Sequence, residues 1–157
     1  VTGATGGLGV DVCRGLAAHG FELVIAGRDV QAGHSLVEEI TASGGNATFE
    51  LCDLSTAGGA ASLACSLLER GRIDLLVNNA GILIEADSSA QALNQTLLVN
   101  FEGVVALTES CLPIMKEGGQ ILTTSSGMGA RMLGQLREEH RAAFSSPTQL
   151  RRIYLVR

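Results

Sequence analysis

Apolar positions along this chain fall alternately into helical and extended patterns. Leu8, Val12, Leu16 and Ala17 recur at helical spacing up to Gly20, a residue suited to the left-handed position that closes a helix. Residues 21–26 then form a nearly continuous apolar run, as expected of a parallel strand covered on both faces. Leu36, Val37 and Ile40 mark a second helix that stops at Gly44-Gly45, and residues 47–51 alternate as another strand, closed by Asp53. A third helix, over residues 55–71 with Ser55 as N-cap, leads to an apolar strand at 73–77. Leu93, Leu97, Leu98, Phe101, Val104, Val105 and Leu112 make a long helical stripe ahead of Pro113, and residues 120–124 supply one more strand.

Such alternation implies parallel strands joined by right-handed crossovers. The expected architecture is α/β: a Rossmann-type doubly wound parallel sheet in three layers, α/β/α, within a single dinucleotide-binding domain over residues 1–157. Ligands on such sheets gather at the carboxyl ends of the strands. Val1-Thr2-Gly3 reads as the last step of a strand that starts earlier, and Arg157 falls inside a helical segment, so the fold is expected to be incomplete at both ends. After Ser126 the pattern changes to a charged, helical segment carrying Arg131, Arg137, Glu138, Glu139, His140, Arg141, Arg151 and Arg152.

Composition removes several function classes. The net charge of −5 offers no basic field for phosphodiester backbones, and aromatic residues at 3% leave few surfaces for stacking bases, so nucleic acid is not an expected partner. Cys13, Cys52, Cys65 and Cys111 show no metal-ligand spacing; they read as small core residues, with no metal expected and a reducing, cytoplasmic setting favoured. No uninterrupted apolar run reaches membrane-spanning length, so no membrane span is expected. His19, His34 and His140 are scattered and read as solvated surface residues.

Candidate chemistry begins at Thr2-Gly3-Ala4-Thr5-Gly6-Gly7-Leu8-Gly9, between the first strand and the first helix. A pyrophosphate requires backbone N–H donors and close main-chain approach, so side chains must be absent where the chain turns and where helix meets sheet. Gly3 suits the tight turn, Gly7 the approach of the phosphates and Gly9 the close packing. The Thr5 hydroxyl adds a donor and the helix N-terminus a partial positive charge. The P-loop lysine is absent, and the spacing is TGxxxGxG in place of GxGxxG.

That spacing, followed by Asn78-Asn79-Ala80-Gly81 at the end of the strand over 73–77, resembles the short-chain dehydrogenase/reductase family. The resemblance covers nearly all of residues 1–126. It implies cofactor contacts from Gly3, Thr5, Gly6, Gly7, Leu8, Gly9, Asn79, Ala80 and Gly81. Asp53 would hydrogen-bond the adenine amine with Leu54 alongside the ring, a role compatible with capping the next helix. Cofactor choice rests on Ala26-Gly27-Arg28-Asp29. With Gly27 in the place where NAD-binding enzymes carry an acid, Arg28 is free to pair with a 2′-phosphate, which favours NADP(H); a one-residue change of register would bring Asp29 to the ribose instead.

The family's catalytic asparagine matches Asn100, for which a kink or a water-holding role is the structural alternative, and its catalytic serine matches Ser126, with Ser125 the alternative in register. The serine polarises a carbonyl oxygen and makes no nucleophilic attack, so no serine–histidine pair is required. The family's Tyr-x-x-x-Lys pair is not present: Lys116 precedes the strand over 120–124, and Tyr154 shares helical spacing with Leu150 and Ile153, which favours packing. Residues 127–157 resemble the helical insertion that carbonyl-reductase-like members place before the tyrosine, which would put the pair downstream. The implied activity of the complete protein is NADP(H)-dependent interconversion of a small-molecule carbonyl and an alcohol, this chain alone being inactive. By analogy the resemblance extends to a homo-oligomer. A non-catalytic cofactor-binding sensor is the competing expectation.

Overall fold

The computed structural model describes residues 1–56, 58–84 and 89–144, so Tyr154 and the arginines at 151 and 152 lie outside the described residues. The chain divides into two units, Val1–Thr124 and Ser125–Arg157. In the first unit the order is α1 (Leu8–Ala18), β1 (Glu22–Gly27), α2 (Val30–Ala42), β2 (Asn46–Leu51), α3 (Gly59–Arg70), β3 (Ile73–Asn78), α4 (Ala90–Leu97), a π-helical turn (Leu98–Glu102), α5 (Gly103–Cys111), a short 3-10 turn (Leu112–Ile114) and β4 (Met115–Thr123). The second unit holds α6 (Gly127–Gln135) and α7 (Glu138–Phe144).

β1 pairs with β2, and β3 with β4, both in parallel. The residues before α1 lie between the two pairs. Ala26 N–H donates to the Val1 carbonyl at 2.9 Å and Ala4 N–H to the Ala26 carbonyl at 3.1 Å, while Thr2 N–H donates to the Val77 carbonyl at 3.0 Å. The opening segment is therefore the central strand, and the chain leaves it toward β1 on one side and returns at β3 on the other. This reversal is the switch point at which doubly wound sheets open a crevice beyond their strand ends.

Alternation along β1 shows why helices cover both faces. Leu23 and Ile25 pack with Cys13 of α1 and with Leu36 and Ile40 of α2. Val24 and Ala26 point the other way, into a cluster with Leu63 and Leu67 of α3, Leu76 of β3, and Leu107 and Cys111 of α5. A strand with two apolar faces needs a helical layer on each, giving the expected α/β/α arrangement. The helix stops also follow expectation, since Gly20, Gly44 and Gly71 take φ values of 80°, 86° and 83°.

Several expectations change. Ser55 does not cap α3: the helix starts after Gly58, and Ser55 is held instead by the Asp53 side chain. The last strand begins five residues early, at Met115, so Lys116 lies inside it and pairs with Asp74 at 3.0 Å; a register shift opposite Ile73–Leu75 separates this start from the regular pairing at Gln120. Cys65 is exposed on α3, whereas the other three cysteines are buried. One helical stretch among the described residues, Ala90–Ile114, has the length and mean hydropathy (1.4) of a membrane span, although polar residues interrupt its apolar positions. Its C-terminal half packs as a core helix, with Leu107 and Cys111 in the cluster that α3 and β3 share.

Candidate functional site

At the carboxyl ends of the central strands lies an open cavity of about 520 Å³. One wall is the turn into α1 (Gly3, Thr5, Gly6, Gly7 and Leu8), a second is the end of β1 (Gly27, Arg28 and Asp29), a third follows β2 (Cys52, Asp53 and Leu54), and a fourth follows β3 (Asn79, Ala80, Gly81 and Ile82). The sequence-predicted cofactor residues therefore converge on one cavity, with Gly9 the exception. Gly9 is buried beneath it.

The glycines divide into packing and access positions. A Cβ on Gly3, whose φ is +60°, would stand 2.7 Å from Ala80 Cα, and one on Gly9 would collide with the Gly3 carbonyl oxygen and come within 2.8 Å of Asn79 Nδ2. These two let the turn, α1 and the end of β3 touch. Gly6 and Gly7 have no neighbour within 4 Å of a Cβ, and Gly7 has φ +49°. They leave main chain open to the cavity. No side chain caps α1, so its first-turn N–H groups keep the positive end of the helix available to an anion. A cradle that a Cβ would fill, next to an uncapped helix start, fits a dinucleotide's linked phosphates.

Two polar side chains fasten this cradle. The buried Thr2 hydroxyl oxygen accepts from Asn79 N–H and from Ala80 N–H, each at 3.1 Å. Asn79 Nδ2 donates to the carbonyls of Thr2 and Gly3, both at 3.2 Å, and its Oδ1 accepts from the Thr124 hydroxyl at 3.2 Å. Asn79 thus lines the cavity while its amide is spent on holding the glycine turn to β3. Behind it, the buried Asn78 donates from Nδ2 to Thr108 Oγ1 at 3.0 Å, tying β3 to α5. Sequence reasoning did not single out Thr2, Thr108 or Ile82. No local spacing marks them, since their partners are distant in the chain.

At the end of β1, Asp29 is the N-cap of α2 and accepts from Ala32 N–H at 2.9 Å. Arg28 is exposed and lines the cavity. Across from it, Asp53 Oδ1 accepts from Ser55 Oγ–H at 2.7 Å and from Ser55 N–H at 2.9 Å. The Ser55 side chain, then its N–H, hold the Asp53 carboxyl below its ordinary value against the opposing effect of burial, and the Arg28 charge adds to the lowering. A carboxylate with a depressed folded-state pKa contributes stability that is present above its unfolded pKa of about 3.9 and is lost as pH falls through the folded value. Asp53→Asn is thus expected to lower Tm at pH 7, with the gap from wild type narrowing as pH falls below the ordinary carboxylate range, as melting curves across that range would show.

Burial, and then the neighbouring Asp53, push the Cys52 thiol up to about 11. A thiol so held stays protonated near neutrality and is no nucleophile. Among the described residues no cluster of three or more acids, cysteines or histidines could hold a metal ion.

Asn100 sits in the π-helical turn that interrupts the stretch from α4 to α5. Its Oδ1 accepts from Ile82 N–H and its Nδ2 donates to the Ile82 carbonyl, both at 2.8 Å. A single amide thereby satisfies both backbone groups of a cavity-lining residue. The irregular turn is where such a helix would bring a functional group to the site. Ser126 belongs to the second unit, where its carbonyl accepts from Gly129 N–H at 3.0 Å. The three histidines are exposed, as expected.

Comparison with known proteins agrees with this geometry. The family model described as short chain dehydrogenase matches residues 1–137. Dehydrogenase/reductase SDR family member 7B of Bos taurus is 36% identical over 145 residues, covering 82% of this chain and 43% of that protein. Carbonyl reductase (NADPH) 1 of Sus scrofa is 32% identical over 157 residues, covering 94% of this chain and 53% of its own length. A short chain dehydrogenase from Burkholderia cenocepacia, crystallised in complex with NADP, superposes with a TM-score of 0.77 at 29% identity, over 83% of this chain and 56% of that one. The chain spans about half the length of these relatives.

Proposed function

This chain belongs to the short chain dehydrogenase family of oxidoreductases, and from that premise we propose that the protein containing it binds NADP(H) in the cavity described and interconverts a carbonyl and an alcohol. The observation that carries the cofactor assignment is at the end of β1. Gly27 brings no acid to the cavity, the Asp29 carboxylate is engaged in capping α2, and Arg28 lines the cavity with its charge exposed. A 2′-phosphate there meets the Arg28 cation, with no carboxylate at position 27 to oppose it. The solved relative with NADP and the relatives whose names specify NADPH support the same reading.

Bound NADPH would supply the hydride. The turn into α1 holds the linked phosphates, and Asp53 and Leu54 flank the adenine. Ser126 polarises the carbonyl oxygen as negative charge develops on it, and Asn100 supports the proton path from the π-helical turn. On this reading α6 and α7 belong to the helical insertion that carbonyl-reductase-like members place before the acid, a tyrosine followed four residues later by lysine.

The test uses the intact protein. NADPH is expected to be oxidised in the presence of a panel of ketones and aldehydes, with Arg28→Ala weakening NADPH binding roughly 10- to 100-fold and leaving NADH binding unchanged, as fluorescence titration would read. Equal loss for both cofactors would refute the role of Arg28. Tight NADPH binding with no turnover on any carbonyl would favour the non-catalytic alternative.

A further inference from the structure

Two polar clamps join the helical stretch Ala90–Ile114 to β3 and to the segment that leaves it. Asn100 holds both backbone groups of Ile82, and further along the helix the Thr108 hydroxyl oxygen accepts from Asn78 Nδ2 at 3.0 Å. Asn78 is 2% exposed, and its buried Oδ1 has no hydrogen-bond partner among the described residues. Loss of the Thr108 bond would leave nitrogen and oxygen alike unsatisfied, which buried amides rarely tolerate. Around this bond the packing is apolar: Leu107 and Cys111, both fully buried, cluster with Leu76 of β3 and with Leu63 and Leu67 of α3. Apolar burial is non-directional, whereas a hydrogen bond weakens steeply with misalignment and so fixes the rotation of the helix about its axis. In an unbroken α-helix, side chains at 100 and 108 would point about 80° apart. The π-helical turn at Leu98–Glu102 alters that phase, and both side chains reach the β3 side. Between them Gly103 lies close against the loop after β2, where a Cβ would stand 3.0 Å from Leu54 Cβ and 3.1 Å from the Leu54 carbonyl oxygen.

From these two clamps we propose that Thr108 is a positioning residue for Asn100: by fixing the phase of α5 on β3, its hydroxyl sets where the Asn100 amide meets Ile82 at the cavity wall. The inference deepens the reading of Asn100 given above and rests on it for its kinetic consequence. Without the Thr108 hydroxyl the helix is free to turn about the close contact at Gly103. Asn100, on the other side of that contact, turns with it and loosens its hold on Ile82.

The experiment uses the intact protein and its Thr108→Val, Thr108→Ser, Asn100→Ala and Thr108→Val/Asn100→Ala variants. Two quantities are read: amide hydrogen exchange at Ile82, and kcat and KM with NADPH and a carbonyl substrate at a temperature well below melting. Thr108→Val keeps the shape of the side chain and removes its hydroxyl. It is expected to speed Ile82 exchange about tenfold or more and to lower kcat about tenfold, with KM staying within about twofold. Thr108→Ser is expected to restore both. In the Asn100→Ala background Thr108→Val should leave kcat unchanged, because a residue acting through Asn100 has nothing left to act on. Unchanged Ile82 exchange in Thr108→Val, or a kcat loss that persists in full in the Asn100→Ala background, would overturn the proposal. If Asn100→Ala itself keeps the wild-type kcat, the proton-path reading falls, while Ile82 exchange still decides whether Thr108 holds Asn100. Should Thr108→Val not fold, Thr108→Ala takes its place, since the smaller side chain leaves room for water beside Asn78. Failure of both to fold makes the hydroxyl a requirement of the fold and overturns the positioning role.

Discussion

Gly9→Ala is expected to destabilise the protein by about 3 kcal/mol, seen as a fall in Tm of roughly 10 °C, and to abolish measurable cofactor binding at concentrations that saturate the wild type. The added methyl would run into the Gly3 carbonyl and press on Asn79 Nδ2 and Ala4 Cα. All three belong to the fastening between the opening strand, α1 and β3. Relief requires α1 to move away from the sheet, which breaks the Asn79 bonds to Thr2 and Gly3 and reshapes the turn that faces the phosphates. Gly6→Ala is the control. It meets nothing within 4 Å and needs no positive φ, so its stability effect should stay within about 0.5 kcal/mol. Equal Tm values for the two variants would contradict the packing role given to Gly9.

Ser126→Ala carries the larger kinetic expectation. If its hydroxyl holds the substrate oxygen as charge develops, its removal from the intact protein should lower kcat about 100- to 1,000-fold. NADPH affinity should be unaffected, since in that role the serine would meet the substrate carbonyl and not the cofactor's phosphates. Steady-state kinetics with a carbonyl substrate, beside a titration of NADPH binding, separates the two quantities. The neighbouring Ser125→Ala resolves the register. A collapse of kcat in that variant, with Ser126→Ala near wild type, would move the role by one residue, and loss in neither would remove serine from the reaction.

Much of the scaffold was readable from local pattern. β1 has two apolar faces, so its hydropathy pattern predicts a covered parallel strand, and Leu23 and Ile25 do face one helical layer while Val24 and Ala26 face the other. Gly20, Gly44 and Gly71 end helices because a left-handed residue is inexpensive only without a side chain. Where local pattern misled, tertiary partners won. Ser55 had a suitable N-cap identity, yet Asp53 takes its hydroxyl and α3 starts after Gly58. Strand β4 reaches back to Met115 because Ile73 offers a partner across the register shift, something the glycines at 118 and 119 conceal in the sequence.

The division at the site has one physical origin. Sequence alone determined which backbone positions must lack side chains and which residue types surround them: the glycines of the first turn, the Asn-Asn-Ala-Gly run, Gly27 in place of an acid with Arg28 beside it, and Asp53 after its strand. Tertiary structure alone decided what each polar group does with its bonds. It spends Asn79 on the turn, joins Thr2 to backbone 77 residues away, clamps Ile82 with Asn100, sends Asp29 to cap α2 and sets Thr5 over Gly27. Periodicity and spacing report on neighbours along a helix or strand. Which strand ends become neighbours depends on the crossovers of the sheet, and those bring together residues whose partnership leaves no trace in local pattern.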